Sequence, residues 1–227
     1  MQDILTFIGH GFCHQIPERT FMSGGLYFAV CARDTGLHLG LALAVICAFV
    51  LYARARIKPG DMPPALVVVI LALMVVPMAF DGVTSYAGLR PTTNTIRFIT
   101  GLLAGVGVGT LLAPFLIGLR RDADADLKAF TRPAITAAQL LAPVIAGLIF
   151  LVGFPLLGPI APFIEAAAFV GAVLSVNLLL LSLSARLRPT GSIRRWLVVG
   201  GLAFVLAAGE ISLAAFVREL LFSFLLG

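Results

Sequence analysis

Charge is scarce in this chain. Asp, Glu, Lys and Arg make up 12% of its 227 residues, against roughly 25% in soluble domains. Residues of the AVILMFWYC set reach 60%, and the mean hydropathy is +1.06. A soluble domain of this size has too little interior to hide so much apolar side chain. The composition therefore excludes both a typical soluble enzyme and a disordered chain. Cysteine is scarce as well: Cys13, Cys31 and Cys47 are too few for a disulfide-dense secreted scaffold. The opening MQDILTFIGHGF carries Asp3, no basic stretch and no clean apolar core before His10. It is expected to remain in the mature protein as a short helix at the membrane surface. There is no Walker loop, dinucleotide fingerprint, zincin helix or Gly-x-Ser-x-Gly elbow. The net charge of +5 comes from Lys and Arg scattered in short gaps. No basic run is interleaved with aromatics, so no nucleic-acid partner is expected.

What is present is a series of apolar runs, at 31–53, 64–80, 96–119, 134–154, 161–185 and 196–217. Crossing a bilayer takes about 20 residues, and backbone groups in lipid must be satisfied locally, which selects helices. The expected fold is an all-α, polytopic transmembrane bundle of about six helices. Three gaps carry Arg54, Arg56 and Lys58; Arg120, Arg121, Lys128 and Arg132; and Arg186, Arg188, Arg194 and Arg195. The alternate side holds only Arg19, Arg33, Arg90, Arg97 and Arg218. The positive-inside rule puts the richer gaps in the cytoplasm and both termini outside. A bacterial cytoplasmic (inner) membrane is the expected location. The chain divides into an outer N-terminal segment at 1–30, a three-helix core at 31–119, and three further helices at 120–227. Gly101, Gly105 and Gly109, spaced four apart, predict close helix approach. No internal repeat is evident.

The unusual polar residues gather toward the outer side. Cys13, His14, Cys31, Asp34 and His38 offer the sulfur, nitrogen and oxygen donors that zinc accepts. Asp34 also suits a helix N-cap. Cys13 and Cys31 are open to three readings: metal ligands, a disulfide around a Gly24-Gly25 turn, or free thiols. Cys47 reads as a small buried hydrophobe. Arg33, Arg90 and Arg97, with Asn94 nearby, suit an anionic small molecule or lipid headgroup, or pair with Asp34, Asp81, Glu165 or Glu210. Asp81 is expected to close the second helix. Glu210 falls inside the hydrocarbon, where an acid is functional by default and needs a polar partner. Asn177 and Gln139 suit interhelical hydrogen bonds.

Four groups of residues carry a resemblance. They are Cys13, His14, Gln15, Pro17, Arg19, Thr20 and Phe21; Cys31, Ala32, Arg33, Thr35, Gly36 and Gly40; Pro77, Met78, Asp81 and Gly82; and Arg90, Thr92, Thr93, Asn94, Arg97, Thr100, Gly101 and Gly105. Together, over residues 10–105, they resemble the bacterial membrane family known as domain of unknown function 2085. The family pattern carries a third cysteine where this chain has Asp34. Aspartate cannot exchange disulfides, which weakens a redox mechanism. A carboxylate does replace a thiolate as a metal ligand, which keeps the metal reading.

Three functions follow as expectations. The first is a metal-assisted enzyme acting on an anionic lipid-like substrate. Zinc would sit at Cys13, His14, Cys31, Asp34 and His38, with Asp81 or Glu210 as general base and Arg33, Arg90, Asn94 and Arg97 holding the substrate. The second is a structural or accessory membrane subunit whose outer motif is a folded plug. The third is a small transporter with Glu210, Asn177 and Gln139 along its path. Membrane lipids surround the protein in all three.

Overall fold

Among the described residues, six helices are long and apolar enough to cross a membrane: Ala32–Arg54, Ala65–Tyr86, Asn94–Gly118, Pro133–Leu157, Ile160–Ser182 and Ile193–Phe224. The computed structural model describes residues 1–57, 59–61, 63–119, 123–130, 132–184, 187 and 192–226. Of the residues that orient the chain, Lys58, Arg120, Arg121, Arg186 and Arg188 lie outside the described residues.

The chain begins with α1 (Gln2–His10) and a one-turn 3-10 helix at Pro17–Arg19. A hairpin of β1 (Met22–Ser23) and β2 (Leu26–Tyr27) follows. Its turn needs a positive φ at both central residues, which Gly24 and Gly25 supply at +58° and +77°. Next come α2 (Ala32–Arg54), β3 (Pro59–Asp61), α3 (Ala65–Leu73) and α4 (Val76–Tyr86). The rest of the chain holds α5 (Asn94–Gly118), β4 (Asp124–Lys128), α6 (Pro133–Gly153), α7 (Ile160–Ser182) and α8 (Ile193–Leu226). β3 and β4 pair in parallel across one end of the bundle, in gaps that read as loops.

The axis of the bundle is the α2–α5 contact. A methyl group at Gly36 would overlap the carbonyl oxygen of Phe98, and methyls at Gly101 and Gly105 would overlap those of Arg33 and Leu37. At Gly40 and Gly109 it would come within 2.6 Å of the Leu102 and Leu41 carbonyl oxygens. Glycines on both helices therefore let the two backbones touch, which is how helices gain contact where lipid supplies no hydrophobic drive.

An aromatic nest ties the hairpin to this core. Phe21 stands 6.0 Å from Phe98 and 4.9 Å from Phe154, ring centre to ring centre. Phe28 lies 6.4 Å from Phe150. Residues 1–31 thus form a cap seated on α5, α6 and α7 rather than a free arm.

Two boundaries differ from the sequence reading. The second span does not close at Asp81: it breaks after Leu73, ahead of Pro77, and continues to Tyr86. Asp81 lies inside α4 with 0% exposure, tolerated there because cations flank it. The sixth helix passes residue 217 and runs on to Leu226.

Candidate metal and anion site

The turn after α1 sets the first ligand. Gln15 adopts a left-handed φ of 51°, uncommon for a non-glycine residue. Its side chain explains the tolerance: Nε2 donates to the carbonyls of Thr6 and Ala29, both at 2.8 Å. This locks the loop against the strand that leads to α2. Cys13 Sγ then accepts hydrogen bonds from the backbone N–H of Cys31 at 3.1 Å and of Gln15 at 3.5 Å.

Cys31 is the N-cap of α2. Asp34 is therefore not the cap but sits in the first turn, where a carboxylate faces the positive end of the helix. The Cys31 thiol lies 3.2 Å from Asp34 Oδ2. Ligand atoms of Cys13, Cys31 and Asp34 all lie within 4.8 Å of one another, and both cysteines are free thiols.

The two sulfurs differ in acidity. The hydrogen bond from the Cys31 thiol, helped by the backbone N–H groups of Gln15 and Cys31, outweighs burial and the Asp34 charge and draws Cys13 down to about 7. Cys31 moves the opposite way: the neighbouring Cys13 sulfur first, then burial and Asp34, push its thiol up. One thiolate and one thiol side by side is the arrangement expected of a metal-free pair.

The cluster forms one wall of a cavity of about 200 Å³. Its other walls include Phe12, His14, Gln15, Arg19, Arg33, Tyr86 and Arg97. The Arg19 guanidinium stands 5.1 Å over the Tyr86 ring and that of Arg33 5.8 Å from it. Arg33 is neutralised by Asp81 in α4, at 3.1 Å from Nε and 2.5 Å from a terminal nitrogen. Arg97, 8% exposed, donates to Asn94 Oδ1 at 3.0 Å. Among the described residues, neither Arg19 nor Arg97 has a carboxylate within 4.0 Å. The cavity thus combines soft ligands with two arginines that form no ion pair among the described residues.

The other expected site residues have different settings. His14 lines the cavity but stays outside the three-ligand set. His38 packs edge-on to Phe169 with ring centres 4.7 Å apart, and its Nδ1 is buried without a hydrogen-bond partner among the described residues. Arg90 does not line the cavity: it binds Asp81 Oδ1 at 2.6 Å and Thr84 at 3.1 Å. Asn94 braces Arg97 and donates to the Glu18 carbonyl at 3.2 Å. Asp81 has no free oxygen for general-base work, since Arg33 holds Oδ2 while Arg90 and Thr92 hold Oδ1. Glu210 lies on α8 away from the cavity and accepts from Asn177 Nδ2 at 2.9 Å. Glu165 pairs with no arginine but with the Ala29 N–H at 3.0 Å. Gln139 is fully buried, with neither side-chain polar atom bonded among the described residues.

Sequence reasoning named Gln15 only within the family pattern and Arg218 only as a charge that orients the chain, and gave neither a structural role. Arg218, on α8, grips the cap through its backbone, donating to the carbonyls of His10, Cys13 and, at 3.5 Å, His14. The sequence signal for it was an arginine next to Glu219 within an apolar helix end; Glu219 in turn meets His10 at 2.5 Å.

A family model described as "Predicted membrane protein (DUF2085)" matches residues 13–111. An uncharacterized protein of Methanothermobacter thermautotrophicus is 42% identical over 99 residues, covering 44% of this chain and 82% of the relative. An uncharacterized protein of Methanocaldococcus jannaschii is 38% identical over 102 residues, covering 45% of this chain and 62% of the relative. No solved structure matches the chain. The matched segment holds all three cluster residues and the arginines around them, and it leaves out α6, α7 and α8.

Proposed function

The chain belongs to the DUF2085 family of predicted membrane proteins, and from that premise we propose that it binds a zinc ion through Cys13, Cys31 and Asp34 and uses it to act on an anionic group held in the adjoining cavity. The carrying observation is a set of two sulfurs and one carboxylate within 4.8 Å, on the wall of a cavity that also presents Arg19, Arg33 and Arg97. Structural zinc sites close with four protein ligands, whereas catalytic ones keep three and leave a position open. Three protein ligands facing a cavity follow the second pattern. The charges also agree: two thiolates and Asp34 carry three negative charges, which a divalent cation largely offsets. The arginines then remain available to an anion.

Asp81 acts in this reading as a positioning residue that orients Arg33, with Arg90 supporting it. Arg97, braced by Asn94, and Arg19 contact the anion. The location proposed is the cytoplasmic membrane with the cluster on its outer side, on the grounds of Lys and Arg asymmetry.

The test is metal content. Protein purified in detergent without chelator should carry about one zinc per chain, as expected of a site whose ligands are deprotonated on binding. Cys13→Ser and Cys31→Ser should each lose it, while Cys47→Ser should keep it. Chains with both thiols free yet no bound metal after zinc loading would overturn the reading.

A further inference from the structure

A second cavity adjoins the first. It encloses about 470 Å³ between the cap and the outer end of α8. Phe12, Cys13 and His14 line both spaces, so the two lie on either side of this three-residue segment, with the metal cluster beside it. The far part is lined by Val217, Leu221 and Phe222 of α8. Arg218 also reaches this wall, but its guanidinium is spent on the backbone carbonyls of His10 and Cys13. One arm is therefore cationic and the other mainly apolar.

The length of α8 says where the apolar arm lies. Its 34 residues span roughly 50 Å at 1.5 Å per residue, against about 30 Å of hydrocarbon. With Arg194 and Arg195 at the cytoplasmic headgroups, as the proposed orientation has it, its final turns come to the opposite headgroup level, while Leu221 and Phe222 remain 55% and 48% exposed. An apolar wall at that height favours an occupant that brings its own hydrocarbon.

We propose that the two spaces join past this segment and seat a single amphiphile: an anionic head against Arg19 and Arg97 beside the metal, and a hydrocarbon chain in the groove between Phe12 and Val217–Phe222. The proposal rests on the metal and anion reading of the cluster and adds the substrate class, an anionic lipid rather than a free anion. The shared lining of the two spaces and their opposite chemistry carry it.

The experiment uses the full chain, zinc-loaded, in phosphatidylcholine nanodiscs. A dodecyl phosphate tipped with a diazirine is photolysed and the labelled peptides are mapped. Label should concentrate on the α8 segment 214–222 and on Phe12. Plain dodecyl phosphate should compete it away, and dodecyltrimethylammonium should not. Ethyl phosphate and inorganic phosphate, measured by calorimetry, should bind about tenfold or more weakly than dodecyl phosphate, because they bury no chain. Val217→Trp should abolish the competed label; Arg97→Gln should weaken all three phosphates. Label spread over the lipid-facing surfaces of α3 and α6, or displaced equally by the cationic amphiphile, would overturn the groove proposal. Arg97-dependent ethyl phosphate binding would in that case still uphold the anion site. Failure of every phosphate to bind would remove the anion site and the groove together.

Discussion

Arg33 in α2 and Asp81 in α4 form a buried ion pair, the carboxylate with 0% exposure and the guanidinium reaching it at 2.5 Å. It joins the second span to the glycine-packed core and aims Arg33 past Tyr86 at the cavity. Removing one partner of such a pair leaves an uncompensated buried charge, at a cost of about 3–5 kcal/mol. Asp81→Asn is expected to lose that much in urea unfolding in micelles. Arg90→Gln should cost about 1 kcal/mol or less, as for other partly exposed pairs. Equal stability of Asp81→Asn and the unmodified chain would show that the pair anchors nothing.

The α2–α5 contact predicts a contrast between glycines. Gly101→Ala and Gly105→Ala would drive a methyl into carbonyl oxygens of α2, and overpacking costs about 1–3 kcal/mol or more where backbone must move. Gly171→Ala meets nothing within 4 Å and should be neutral or slightly stabilising through helix propensity. Thermal unfolding of the three variants in one detergent decides it. A Gly101→Ala chain as stable as Gly171→Ala would mean the helices stand further apart.

The spans were legible because a run of twenty apolar residues has few other uses, and the gathering of polar residues on one side followed from counting helices. Asp81 shows where that reading stops. An acid followed by glycine looks like a helix end, and only Arg33, far away in sequence, together with Arg90 and Thr92 makes it a helix interior. The role of Gln15, named only within the family pattern, was illegible for a related reason: it depends on a left-handed backbone turn that no residue type announces. The β3–β4 pairing joins two gaps more than sixty residues apart: β4 alternates polar and apolar over Asp124–Lys128, but its partner is only Pro59-Gly60-Asp61, which reads as a turn. Of the five expected metal ligands, Cys13, Cys31 and Asp34 converge because a loop and a helix N-terminus meet there. His38, one turn further along α2, has turned toward Phe169 instead.

Cysteine reactivity should report the cluster in its metal-free, reduced state. Cys13 is drawn to about 7 from an ordinary 9.0, so its sulfur is mostly thiol below pH 7 and thiolate above. Iodoacetamide should therefore alkylate Cys13 with a midpoint near pH 7 in the folded protein and near pH 9 after unfolding. By linkage the shift stabilises the folded state in full above pH 9, and that stabilisation is lost as the pH falls through 7. Cys31→Ala removes the largest cause and should move the Cys13 midpoint upward. A midpoint unchanged by that substitution would disprove the thiol–thiolate contact.

Orientation is tested by impermeant thiol labelling in a Cys-free background. Cysteine placed at Arg56 should react only from the cytoplasmic side, and cysteine at Tyr27, 40% exposed on the hairpin, only from outside. Labelling with the sides exchanged would invert the protein and turn the cluster toward the cytoplasm.

Asp34 gives the sharpest test of the chemistry. Its Oδ2 already lies 3.2 Å from Cys31 Sγ, so a ligand there needs no rearrangement of the helix. Asp34→Cys adds a soft thiolate and should hold zinc as tightly or more tightly. Asp34→Ala removes a ligand and should weaken zinc by about the 10–100-fold or more that even supporting groups contribute. Competition with a chromogenic chelator measures both. If Cys13 and Cys31 instead form a disulfide in the native membrane, neither substitution changes metal content, because none is bound. Alkylation without reductant would then leave only Cys47 reactive after unfolding, and the intact mass would be lighter by two protons. That pattern would make the cap a static plug held by Gln15 and Arg218, with an anion site beside it but no metal. Zinc that tracks residue 34, in the order Cys, Asp, Ala, is what the three converging ligand atoms require.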